Sequence, residues 1–192
     1  MTALFQEIDP FAHESLRQPT VDVAVATEAA KILGSVEDVL VLARKYFEGT
    51  YRRMPIISKA YFYERLPFVF SKPKGDFLVL CLCIHLVSQF PTPQMMSMQS
   101  SLYILVKNMI CLLGSTGFLS LEVVQARLLM SLYEMGHGIH PAASISIGAC
   151  ARTARALGLN KKLFQGAHGD HAARLRAEEE KRVWWAVLNL DR

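Results

Sequence analysis

Apolar residues recur along this chain at helical spacing, and no segment alternates apolar and polar residues over strand length. Ser35, followed by Glu37 and Asp38, is a helix start, and Val36, Val39, Leu40, Ala43 and Phe47 then fall on one face. Ser58 predicts the cap of a short helix carrying Tyr61, Phe62 and Leu66, which Pro67 stops. Gly75 and Asp76 open the run FLVLCLCIHLVSQF, which is apolar on every side and therefore predicts a helix at the centre of the core.

After the break at Pro91 and Pro93, Leu102, Tyr103, Leu105, Val106, Met109, Ile110 and Leu113 keep helical spacing until Gly114 and Gly117. Ser120 caps an amphipathic helix whose stripe is Leu121, Val124, Leu128, Leu132 and Met135. Pro141 suits the first turn of a helix rich in small residues, among them Ala142, Ala143, Gly148, Ala149, Ala151 and Ala154, and Gly158 ends it. A last helix runs from about Ala172, with Glu178 and Arg182 as an i,i+4 pair.

These elements predict an all-α fold, an irregular array of antiparallel helix pairs. Residues 1–34 read as a partly ordered leader containing one short helix, VDVAVATEAAKIL, and residues 35–192 as one domain.

Composition narrows the function. Hydrophobic residues are 52% and charged residues 20% of the 192, the balance of a folded protein. The net charge is +4, and the 21 Lys and Arg are scattered with no run longer than two. A DNA-binding surface gathers its cations to neutralise several phosphates together, so DNA binding is not expected in these residues. The N-terminus lacks the basic-then-apolar pattern of a secretory signal, and the apolar run from Phe77 is too short to span a membrane.

Candidate chemistry is sparse. Cys81, Cys83, Cys111 and Cys150 lie in apolar segments and read as small core residues, not zinc ligands. His137 with His140, and His168 with His171, have a ligand-like spacing but sit in glycine-containing loops, where surface histidines are the simpler reading. His85, one turn from Cys81, reads as a packed neighbour. No serine elbow, phosphate-cradling glycine loop or paired-histidine zinc helix is present. No catalytic residue and no metal ligand is expected.

Two segments are distinctive together: SLEVVQARLLMSLYEMGHGIHPAASISIGACARTARALGLNKK, from Ser120, and EEEKRVWWAVLNLDR, which ends at Arg192. They resemble the fungal-specific transcription factor domain, the middle homology region of fungal zinc-cluster transcription factors. Upstream, KYFEGTYRRMPIISKAYFYERL resembles the aromatic, proline and Phe-x-x-Arg pattern that opens the same domain, so the likeness runs from about Ser35 to Arg192. The motif residues it marks are Glu122, Gln125, Tyr133, Arg152, Arg155, Arg182, Trp184, Trp185, Asp191 and Arg192.

The resemblance marks these residues, and their own chemistry gives them structural work. Trp184 and Trp185, with Arg182 beside them, are expected to pack between helices, and Arg152, Arg155, Glu122, Glu134, Glu178 and Asp191 to form an ion network across the last three helices. It also implies a nuclear protein, shuttling with the cytoplasm, that controls transcription through coregulators or a small-molecule effector. The six-cysteine cluster typical of the family is absent from this sequence, so zinc and DNA binding are expected only in a separate N-terminal domain, and no cofactor is expected here. Family members usually continue beyond the point where this sequence stops. The competing readings are an all-helical enzyme whose polar groups converge only in the fold, and a homodimerisation module.

Overall fold

A computed structural model describes residues 19–89, 98–162 and 171–191. The expected leader up to residue 18, the break at Pro91 and Pro93, His168 and Arg192 lie outside these residues. Among the described residues every regular element is helical and there is no strand. In chain order the helices are α1 (Pro19–Leu33), α2 (Val36–Glu48), α3 (Lys59–Arg65), α4 (Gly75–Val87), α5 (Ser101–Ser115), α6 (Leu121–Gly136), α7 (Ala142–Ala156), α8 (Leu159–Lys162) and α9 (His171–Leu190). Short 3-10 turns at Thr50–Arg52 and Leu66–Phe68 follow α2 and α3.

The uniformly apolar run becomes the axis of the molecule. Every residue of α4 from Gly75 to Ile84 is buried, because α1, α2, α5 and α6 all pack around it. Burying a helix on all sides removes apolar area from water at roughly 25 cal/mol per Å2, which makes this helix the main source of cohesion. α1 belongs to this core: Val25, Ala29 and Leu33 are buried, and the helix packs on α4 and α5. The approach is close at Gly75, whose N–H donates to Asp22 Oδ1 at 2.7 Å, and a Cβ there would meet the same oxygen at 2.7 Å.

Helix ends follow the local chemistry. Ser35 and Asp38 form a reciprocal capping box at α2, while Ser100 and Ser120 cap α5 and α6. Gly158 follows α7 with φ +78°, a left-handed conformation that a side chain disfavours. Ser58 precedes α3 but its side chain makes no capping bond; its backbone N–H donates instead to Glu179 of α9. Pro141 follows a cis peptide bond from His140 and stands just before α7, not inside its first turn.

α6 differs from its expected amphipathic form. Leu132 is half-buried and Met135 exposed, whereas Glu122, Gln125, Ser131 and Glu134, on the other faces, are buried. The helix is a second central element, packed against α4 on one side and α7 on the other. Its buried polar side chains require partners, and those partners define the polar centre of the domain.

Candidate functional site

Two of the motif residues, Glu122 and Gln125, meet in a polar cluster where α3, α4, α6 and α9 converge. Glu122, in the first turn of α6, accepts a hydrogen bond from Arg65 Nη1 at 2.5 Å and lies 3.4 Å from Arg176 Nη2 of α9. Arg65 also stands 3.9 Å from Asp76 and lies over the Phe77 ring, 4.4 Å from its centroid. Glu179 accepts from Arg176 Nη1 at 3.2 Å, from the Ser58 N–H at 2.7 Å and from Gln125 Nε2 at 2.9 Å. Gln125 Nε2 also donates to the Ile56 carbonyl at 2.6 Å, and the Tyr61 hydroxyl donates to Ala172 at the start of α9.

Electrostatics keep this cluster ionised. Burial opposes the charge on Glu122, but the guanidiniums of Arg176 and Arg65 outweigh it and hold the carboxyl below its ordinary value. The Arg176 pKa is raised: burial lowers it, but Glu122 and Glu179 more than compensate. The space enclosed between these side chains is about 10 Å3, room for roughly one water and no substrate. The arrangement ties α3, α6 and α9 together.

Another buried carboxylate lies at the other end of α6. Glu134 is fully buried, accepts from the Tyr103 hydroxyl at 2.7 Å and pairs with Lys107 Nζ at 2.6 Å, both on α5. Tyr133 stacks on Tyr103 and donates its hydroxyl to the Met98 carbonyl.

The expected six-residue ion network is therefore divided. Glu122 serves the α3–α9 cluster, Glu134 serves α5, and Asp191 approaches Arg155 at 4.0 Å on an exposed surface. Arg152 is exposed over Gly148 and Glu178 is exposed on α9, so neither joins the buried clusters. Helical phase explains it: α7 buries Ala143, Cys150, Ala151 and Ala154, which turns Arg152 and Arg155 outward. The tryptophans also part company. Trp184 is 6% exposed and packed in the core, while Trp185, about 100° further round the helix, is 54% exposed. Arg182, beside them in sequence, is half-buried with its Nε unpartnered.

Cys81, Cys83 and Cys150 are buried, but Cys111 is exposed, contrary to its expected core place. Burial pushes the Cys81 and Cys150 thiols up to about 12 and raises Cys83 also, so these groups stay protonated and unreactive at neutral pH. His85 is half-buried, with Gln89 Nε2 3.4 Å from its ring nitrogen, and burial together with Lys45 lowers its pKa. His137 packs edge-on against Tyr133, and His140 and His171 are exposed. Among the described residues no three metal-ligating side chains converge, and no helix is long and apolar enough to cross a membrane.

Arg65, Arg176 and Glu179 complete the cluster but carried no weight in the sequence reading beyond the Phe-x-x-Arg pattern. A signal existed for Glu179: it lies on the same helical stripe as Val183, Ala186 and Val187, so a charge on the buried face demanded a partner.

The family model described as the fungal specific transcription factor domain matches residues 43–192, from the middle of α2 to the last residue. The chain belongs to that family. Among curated proteins, transcription factor BOA15 of Botryotinia fuckeliana (strain B05.10) is 37% identical over 134 residues, covering 70% of this chain and 74% of that protein. No solved structure matches the chain significantly. Membership in the fungal transcription factor family carries a role in transcription regulation in the nucleus. The Phe-x-x-Arg and Ser-Leu-Glu patterns of the domain meet physically here, as Arg65 and Glu122.

Proposed function

We propose that this domain is a non-enzymatic regulatory module, which controls transcription by responding to a small-molecule effector or a coregulator while zinc and DNA binding belong to a separate domain. The observation that carries this reading is the Arg65–Glu122–Arg176–Glu179 cluster, which occupies the polar centre of the family's matched region and is filled by its own side chains. A centre that leaves space for only one water suits a scaffold that transmits contacts, because catalysis needs a cavity in which a reacting atom sits beside an activated group. Control through partners and shuttling between nucleus and cytoplasm follow from the same reading.

Titration of the purified chain with nonspecific duplex DNA at low salt tests the division of labour. The reading predicts binding no tighter than that of an ordinary weakly basic protein, abolished by moderate salt. Tight binding with a steep salt dependence, the mark of many neutralised phosphates, would contradict it.

A further inference from the structure

α5 packs inward on α4, α6 and α1 through Tyr103, Val106, Met109, Ile110 and Leu113. Its other face carries Ser101, Ile104, Leu105, Asn108, Cys111, Leu112 and Ser115, and none of these is charged. Ile104 is 52% and Leu112 41% exposed, and Leu105 is half-buried, so an apolar strip runs in solvent along a helix about 22 Å long. α2 shows the ordinary arrangement: its exposed Val41 has Glu37, Asp38, Arg44 and Lys45 as its neighbours at helical spacing. Two cations flank the strip on α5. Lys107 is paired with Glu134, and the guanidinium of Arg127 lies against Gly114.

The strip has nearly the same order read in either direction from Asn108. Three residues away on the two sides are Leu105 and Cys111, four away are Ile104 and Leu112, and seven away are Ser101 and Ser115. When two antiparallel helices are related by a twofold axis at Asn108, residues equally far from that position face one another. Apolar side chains then meet apolar side chains, and hydroxyls meet hydroxyls at the ends. Each Asn108 amide meets its own copy, with a donor and an acceptor on both sides. A lone asparagine in an apolar seam also fixes register, as it does in coiled coils. No charge stands opposite a like charge along the strip.

We propose that this face of α5 pairs with the same face of a second copy of the chain, antiparallel about Asn108. The match of the strip to its own reverse is what selects a second copy as the occupant. One pair of helices covers less than the roughly 800 Å2 per partner of a standard stable interface, so the dimer is weak and reversible, with a Kd of about 10–100 μM. The pairing does not depend on the regulatory reading given above.

Sedimentation velocity of the full chain, from about 1 to 500 μM, tests the association. The wild type passes from monomer to dimer over this range. Leu112→Lys, at an exposed position, keeps the melting temperature of the wild type and stays monomeric, because two ammonium groups then enter the seam. Val41→Lys, an exposed change on α2, dimerises as the wild type does.

Cross-linking tests the register. In a Cys111→Ser background the remaining native thiols are buried, so an introduced cysteine is the one available to an oxidant. Asn108→Cys in that background gives a covalent dimer under mild oxidation, since the two thiols meet at the axis, and Val41→Cys gives none. A wild type that stays monomeric to the highest concentration would overturn the proposal. So would dimerisation of Leu112→Lys at wild-type strength, or equal cross-linking at positions 108 and 41.

Discussion

Arg65, at the end of α3, and Glu122, in the first turn of α6, are 57 residues apart in sequence and form one ion pair, with Nη1 2.5 Å from Oε1. Glu122 is almost wholly enclosed, so the pair is completed by Arg176 from α9, and three helices depend on one carboxylate. Removing a single member of a buried charged group leaves its partners uncompensated, which costs more than the group contributes to stability when intact. Glu122→Gln is expected to destabilise the domain by about 3 kcal/mol, read as a lower urea midpoint with an unchanged slope. A double-mutant cycle with Arg65→Met is expected to return a coupling of about 1–3 kcal/mol.

The same carboxylate sets the acid limit of stability. Its folded pKa lies below the ordinary 4.5, so its contribution is fully present above that value and is lost as pH falls through the folded pKa. Urea midpoints measured from neutral pH downward are expected to fall on acidification in the wild type. In Glu122→Gln this part of the decline is expected to be missing.

The two tryptophans, adjacent in sequence, are expected to behave as opposites. Trp184→Ala opens a cavity in the core and is expected to cost about 3–5 kcal/mol, whereas Trp185→Ala removes a largely solvated side chain and is expected to cost less than about 1 kcal/mol. Iodide quenching gives a second reading. It is expected to be strong in Trp184→Phe, which retains the exposed indole, and weak in Trp185→Phe.

Thiol labelling separates the cysteines. Cys111 is exposed, while Cys81, Cys83 and Cys150 are buried with raised pKa values. Native protein is expected to react quickly at Cys111 alone, and the other three thiols only after denaturation. Cys111→Ser is expected to abolish the fast phase.

Much of the fold is written in helical spacing. The helical spacing after Ser35 and Ser120 gives their helices directly, and the run from Phe77 gives the central axis, because a helix apolar on every face has nowhere else to go. α6 is harder to read. Its apolar stripe is genuine, but Glu122, Gln125 and Glu134 are buried too, since partners distant in sequence hydrogen-bond to them.

Pairing was the part least visible in the sequence. Glu122, Arg152 and Arg155 are all motif residues with charge, and only the phase of α7, fixed by Ala143, Cys150, Ala151 and Ala154, reveals that the two arginines face outward. Arg176 comes from a helix that also meets α3 through the Tyr61–Ala172 hydrogen bond, and local spacing carries no trace of that contact.

Tethering the chain to an unrelated DNA-binding domain, and comparing transcription of a reporter with that of the DNA-binding domain alone, tests the regulatory claim most directly. The account predicts that the fusion changes transcription severalfold and that Glu122→Gln, which breaks the cluster, removes the change while both fusions are present at equal levels. A well-folded fusion that leaves transcription at the level of the DNA-binding domain alone would contradict it.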